Sequence, residues 1–178
     1  MRTYIALFRG INIGGRNILR MKELRTLLKK LGFRNVRTYI QSGNAVFQSE
    51  SLDRKDLSST ISAVVKKGYG FEPKVLVLKK EDLEQALANN PFPEAETEPK
   101  SLHFLFLESN PENPNLEAIE EIRIGRERFE LKDKVFYLHA PDGVGRSKLA
   151  ANVEKLMGVP MTGRNWRTVE RIMSMVEK

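Results

Sequence analysis

The sequence predicts an α/β (α+β) protein made of two halves packed together, each running strand, helix, strand, strand, helix and (in the first half) strand, with an extra C-terminal helix. Three observations predict it. Short runs of β-branched and aromatic residues alternate with stretches whose apolar residues recur at helical spacing. The element order read over residues 4–78 starts again after residue 100. Between the two series lies a segment with Pro91, Pro93 and Pro99 interleaved with Glu94, Glu96 and Glu98. The halves are therefore set at 1–90 and 101–178, with 91–100 as a linker.

In the first half, Tyr4 to Phe8 is a strand and Met21 to Leu31 a helix. Leu24, Leu27, Leu28 and Leu31 give that helix a core-facing stripe, and Gly32 ends it. Val36 to Gln41 and Ala45 to Gln48 form a hairpin around Ser42-Gly43-Asn44. Asp53 to Lys67 is a second helix with Leu57, Ile61, Val64 and Val65 on one face, and Val75 to Leu78 a fourth strand. This βαββαβ series is the ferredoxin-like order. A short helix, Glu81 to Asn89, stops at Asn90-Pro91.

The second half opens with a strand, Leu102 to Leu107. Asn113-Pro114 supplies the cap and first position of a helix reaching Ile122. Phe129 to Leu131 and Val135 to Leu138 form a hairpin around Lys132-Asp133. A helix from Arg146 to Met157 turns Leu149, Val153 and Leu156 inward and stops at Gly158. In place of a fourth strand, Arg164 to Val176 is expected to be a last helix, capped by Thr162 with Asn165 in its first turn. No residue-level repeat accompanies the repeated order of elements.

The bulk numbers narrow the class. A chain of 178 residues buries an ordinary core without staples. It has no cysteine, which removes disulfides, thiolate catalysis and Cys-ligated zinc. The start carries one charge and then only five consecutive apolar residues, too few for a signal-peptide core, and no apolar run is long enough to span a bilayer. A cytoplasmic protein with no membrane partner, monomer or homodimer, is expected. The net charge of +7 is unevenly spread: residues 1–50 carry +8, residues 51–100 carry −1, and residues 101–178 carry 0. A basic region attracts polyanions, although charge of this size is also common on soluble domains.

Four stretches carry candidate chemistry. Arg9-Gly10-Ile11-Asn12-Ile13-Gly14-Gly15-Arg16-Asn17 sits between a strand and a helix. Such a glycine loop lets backbone N–H groups approach an anion at a helix N-terminus. It matches neither the Walker A pattern nor the dinucleotide fingerprint, and it also reads as a plain turn. Gln41-Ser42-Gly43-Asn44 adds two amides and a hydroxyl on a hairpin whose residues are ordinary turn formers. Pro141-Asp142-Gly143-Val144-Gly145-Arg146-Ser147-Lys148 repeats the strand–loop–helix construction; Ser147 serves equally as a helix cap. In Thr162-Gly163-Arg164-Asn165-Trp166-Arg167, Trp166 belongs to the apolar stripe. Arg164, Arg167 and Arg171 would share one helix face, whether as a binding row or as solvated charge. His103 and His139 lack companions for a metal site or a triad and read as structural.

Taken together, Arg9-Gly10-Ile11-Asn12-Ile13-Gly14-Gly15, Tyr39-Ile40-Gln41-Ser42-Gly43-Asn44, Gly143-Val144-Gly145-Arg146-Ser147-Lys148-Leu149, and Thr162-Gly163-Arg164-Asn165-Trp166-Arg167-Thr168-Val169 resemble the signature blocks of the bacterial family domain of unknown function 1697. The resemblance runs from Tyr4 to Met175. It implies two ferredoxin-like halves and carries no catalytic residue over. At the second position of the last block that family has threonine, and here Gly163 stands in its place.

Two function classes follow. In the first, the chain binds an anionic, phosphate-bearing ligand, a nucleotide or nucleic acid, in a cleft of glycine-rich loops. The ligand-binding candidates are Arg9, Asn12, Gly14, Gly15, Gln41, Ser42, Asn44, Ser147, Lys148, Arg164 and Asn165. In the second, it is a metal-independent enzyme on a small phosphorylated or carboxylated metabolite. Arg9, Lys148 and Arg164 would clamp charge, and Ser147 would be nucleophile or donor. Asp142 is the only acid in the four blocks and thus the only base they offer. No cofactor and no metal is expected.

Overall fold

The computed structural model describes residues 1–51 and 53–178. The chain divides into two compact units. Unit 1 comprises Met1–Gln85 with Arg171–Lys178, and unit 2 comprises Ala86–Glu170.

Unit 1 runs β1 (Arg2–Arg9), α1 (Met21–Lys30), β2 (Arg34–Tyr39), β3 (Asn44–Ser49), α2 (Arg54–Tyr69) and β4 (Lys74–Lys79), with α3 (Lys80–Ala88) crossing into unit 2. Its sheet is antiparallel in the order β2-β3-β1-β4. The α1 crossover from β1 to β2 thus leaves a gap that β3 fills, which is the split βαβ of the ferredoxin-like fold. Alternation along the strands decides which side chains meet the helices. Tyr4, Ala6 and Phe8 of β1, with Ala45 and Phe47 of β3, pack against Leu24, Leu28, Leu57, Ile61 and Val65. The Phe33 and Phe47 rings stack at 4.5 Å between centroids. Asp53 caps α2 by accepting from the N–H groups of Lys55 and Asp56. No residue of that kind precedes α1; there the backbone N–H of Arg20 donates to the Glu23 carboxylate.

Unit 2 repeats the order: β5 (Leu102–Leu107), α4 (Leu116–Ile122), β6 (Arg128–Lys132), β7 (Val135–His139), α5 (Lys148–Met157) and β8 (Met161–Asn165), followed by α6 (Trp166–Val176), whose last turns belong to unit 1. The sheet order, β6-β7-β5-β8, is equivalent to that of unit 1. Leu107, Phe136, Leu138, Ala140 and Met161 meet Ile119, Leu149, Val153 and Met157 from the helices. Residues 93–97 form a 3-10 turn, with Phe92 and Ala95 buried.

Three expectations are corrected here. The second half does have a fourth strand: β8 pairs with β5 from His103↔Asn165 to Leu107↔Met161. Thr162 therefore lies within a strand rather than capping a helix. The last helix begins at Trp166, where the Asn165 side chain accepts from the N–H of Thr168. The cap of α4 is Asn115, which accepts from the N–H of Ala118, so that helix starts after the Asn113-Pro114 pair.

Both faces of both sheets are buried along most of their central strands. Ile5, Leu7 and Val46, which point away from α1 and α2, are at most 1% exposed. In unit 2 the corresponding face carries Leu102, Phe104, Phe106 and Tyr137, all buried. Phe104 lies edge-on to Tyr137 and to Trp166, so the tryptophan is a packing residue.

The hairpin glycine between β2 and β3 is the tightest point of unit 1. Gly43 has φ +90°, and a Cβ placed on it would stand 2.6 Å from Ile11 Cδ1 and 2.7 Å from Phe8 Cβ. Gly43→Ala is expected to lower the stability of the protein by about 2 kcal/mol or more, read from the midpoint of chemical denaturation. A loss below about 0.5 kcal/mol would mean that the loop relaxes freely.

Candidate functional site

In unit 1 the first two sequence blocks interlock. The side-chain amide of Asn12 donates to the carbonyls of Leu19 and Gln41, each at 2.8 Å, and its oxygen accepts from the N–H of Leu19 at 2.8 Å. Asn17 donates to the carbonyl of Gly10. Asn44, 1% exposed, donates to the carbonyl of Tyr39 and to the Ser42 hydroxyl. The amides of Asn12 and Asn44, both candidate ligand-binding groups, therefore hold the loops together. The backbone explains the composition as well. Asn12, Gly14, Gly15 and Asn17 all have positive φ, and glycine and asparagine are the residues that adopt that region most readily. Gly14 and Gly15 form a tight turn closed by the Arg16 N–H on the Ile13 carbonyl. Arg9 ends β1, half-buried and opposite Lys74.

One residue in this cluster lacks such tolerance. Ile40 has φ +47° and is 45% exposed. A β-branched side chain in the left-handed region costs about 1–3 kcal/mol, and here no burial offsets it.

In unit 2 the third and fourth blocks come together. Ser147 is 5% exposed, and its hydroxyl caps α5 by accepting from the N–H of Ala150. Lys148 is the exposed first residue of that helix. Asp142 is engaged by Arg126 at 2.8 Å. Ser147 thus serves the helix cap and Asp142 an exposed ion pair. Arg164 lies in β8 opposite Phe104, with burial pulling its guanidinium down to about 10, and donates to the Gly163 carbonyl. The expected arginine row is corrected accordingly: Arg164 is on a strand, so only Arg167 and Arg171 share the helix. Arg171 lies over the ring of Tyr39 at 5.9 Å. Gly163 also has a local cause. A Cβ there would meet Leu105 Cδ2 at 2.6 Å, so a threonine at this position would require Leu105 to move.

Gly143 and Arg167, one from each block, line an open depression of about 340 Å³ together with Glu98, Pro99, Lys100, Ser101, Ala140 and Pro141. Among the described residues, neither Lys100 nor Arg167 makes an ion pair or a side-chain hydrogen bond within the protein. Arg167 is the second residue of α6, where the helix dipole adds partial positive charge. The depression thus combines two available cations, one carboxylate and a glycine loop. Sequence reasoning did not single out Lys100, Glu98 or Ser101. The available signal was slight: Lys100 is the only cation of the 91–100 segment. Of the eleven candidate ligand residues, none lines this depression; their neighbours Gly143 and Arg167 do.

The two histidines are in unit 2, both away from charge clusters that could hold a metal. Among the described residues no group of three or more His, Cys, Asp or Glu side chains is placed to do so. The Nδ1 of His139 faces the Arg128 guanidinium at 2.8 Å, which in turn pairs with Glu94 and lies 4.5 Å from the Phe92 ring centroid. The Nε2 atoms of His103 and His139 are buried without a partner among the described residues.

The fold and the loop clusters define a class, the α+β proteins built of two ferredoxin-like halves. A search of curated proteins finds no match. The family described as "protein of unknown function (DUF1697)" matches residues 1–137, and the chain belongs to that family. Among solved structures, the chain is similar to conserved bacterial protein SP0830 from Streptococcus pneumoniae, with 27% identity, 98% of each chain covered and a TM-score of 0.72. No helix among the described residues is long and apolar enough to cross a membrane.

Burial is the main reason that both histidines sit below the ordinary value of 6.5, and Arg128 depresses His139 further. The folded state keeps them neutral, whereas the unfolded chain protonates them near 6.5. Their contribution is therefore complete above that pH and is lost as the pH falls toward the folded values. Stability is expected to fall between about pH 7 and pH 5, and the pair His103→Gln and His139→Gln to flatten that fall, as measured by denaturation midpoints across the range.

Proposed function

We propose that unit 2 binds a small phosphate-bearing molecule in the depression between the Gly143 loop and the start of α6. The observation that carries this reading is the pair of cations, Lys100 and Arg167, lining one concavity with no partner in the protein among the described residues. An arginine presents a planar fork that matches phosphate oxygens, and a lysine adds a mobile point charge. The volume of about 340 Å³ lies at the small end of the range for small-molecule sites. Glu98 in the same wall disfavours a bare polyanion. It favours a ligand that carries a hydroxyl or amino donor beside its phosphate, as a nucleotide does.

An RNA-binding mode on the sheet is not supported. Ferredoxin-like halves that bind RNA stack bases on exposed aromatics of the free sheet face. In unit 1 that face carries Ile5, Leu7 and Val46, which are buried. The alternative of an enzyme using Ser147 is also not favoured, because its hydroxyl is committed to the α5 cap.

The test is thermal denaturation with inorganic phosphate, pyrophosphate and nucleoside mono- and diphosphates. A true ligand at a hundredfold excess over its Kd raises stability by about 2.7 kcal/mol, or about 5 °C or more in Tm for a chain of this size. Arg167→Ala and Lys100→Ala are each expected to remove most of that rise, with Arg167→Lys restoring only part of it. No shift with any of these compounds, or a shift that survives both substitutions, would contradict the reading.

A further inference from the structure

We propose that the Asn12 loop cluster of unit 1 is a docking surface for an anionic lipid bilayer. It is independent of the depression in unit 2. The cluster is organised by one side chain: the Asn12 amide holds the backbone of Leu19 and Gln41. Three exposed isoleucines each lie one residue from these positions. They are Ile13, Ile18 and Ile40, with exposures of 65%, 50% and 45%. Isolated exposed aliphatics are ordinary, but three around one hydrogen-bonded hub are a concentration. One of them, Ile40, is also held at φ +47°, where a glycine or asparagine would be unstrained. Folding gains nothing from an exposed, strained isoleucine, so its presence points to a surface role.

Charge selects the partner. Unit 1 holds 19 Lys and Arg against 9 Asp and Glu, a net +10, whereas unit 2 holds 11 against 14, a net −3. Glu23 is the only acid among residues 1–49. Arg16 lies in the turn between Ile13 and Ile18, exposed and without an ion pair among the described residues. Insertion of aliphatic tips together with attraction of basic residues is the two-signal arrangement that holds a protein on an anionic leaflet. A nucleic acid fits less well. The Asn12 and Asn17 amides are spent within the loops, and the Tyr39 ring already faces Arg171. The groups left at the surface are branched aliphatics, which offer bases no flat ring to stack on. The expectation of no membrane partner rested on the lack of a spanning segment, which does not bear on surface attachment.

The experiment is co-sedimentation of the full chain with vesicles of phosphatidylcholine alone and of phosphatidylcholine mixed with phosphatidylglycerol. Each sample is compared with oligonucleotide binding by fluorescence anisotropy. Binding is expected only to the anionic vesicles and is expected to weaken with salt. Ile13→Ser, Ile18→Ser and Ile40→Gly should each weaken it about tenfold. Ile40→Gly should at the same time raise Tm, which separates lost contact from lost folding, and Arg167→Ala should bind vesicles like the parent. Equal binding to neutral vesicles, no vesicle binding at all, or isoleucine variants that bind like the parent would each overturn the proposal. So would variants that lose oligonucleotide affinity while vesicle affinity stays intact, because the surface would then be a nucleic-acid site.

Discussion

Burial of both faces of each sheet along its central strands limits where this protein can carry chemistry. In a half-open ferredoxin-like unit the face away from the helices is free to carry a ligand. Here that face is apolar in both units, with Ile5, Leu7 and Val46 in one and Phe104, Phe106 and Tyr137 in the other. Burying a side chain of this kind is worth about 1.5–3 kcal/mol, so these positions are committed to stability. Chemistry is left to the loops at the strand ends and to the helix starts that follow them. Three of the four sequence blocks lie at those places, and the fourth runs from β8 into the start of α6.

The same loops spend most of their polar groups on themselves. Asn12, Asn17 and Asn44 satisfy backbone carbonyls; Ser147 and Asn165 cap helices; Asp142 pairs with Arg126. Buried or half-buried backbone groups left unpaired would cost more than these side chains gain by facing a ligand. Once they are accounted for, the groups left include cations and exposed aliphatics, with the Glu98 carboxylate beside the cations of unit 2. Lys100 and Arg167 remain in unit 2, and Arg16 with three isoleucines remains in unit 1.

Much of the fold was legible because it is written in short-range patterns. The stripe of Leu24, Leu27, Leu28 and Leu31 marks a helix, and the short aromatic-rich run from Leu102 to Leu107 marks a strand. β8 was not legible because Met161-Thr162-Gly163-Arg164-Asn165 is neither apolar nor alternating. It is a strand through its pairing with β5, a contact made by residues far away in sequence. The candidate site of unit 2 was legible only through its neighbours in sequence. Glycine loops before helices pointed to Gly143 and to the start of α6. Lys100 was not visible as a member, because nothing in a proline-rich segment says where its side chain arrives. The meaning of the asparagines was hidden for a related reason: an amide that orients a ligand and an amide that holds a loop are the same residue in sequence.

The anion-selective site proposed for unit 2 is formed by Lys100, Gly143 and Arg167. The most direct measurement is a backbone amide chemical-shift titration of the intact protein with inorganic pyrophosphate. Saturable changes are expected at 98–101, 140–143 and the first turn of α6, at the positions lining the depression. Changes that are unsaturable and spread over the basic surface of unit 1, or that centre on Gly14, Gly15 and Arg16 with none in unit 2, would contradict it.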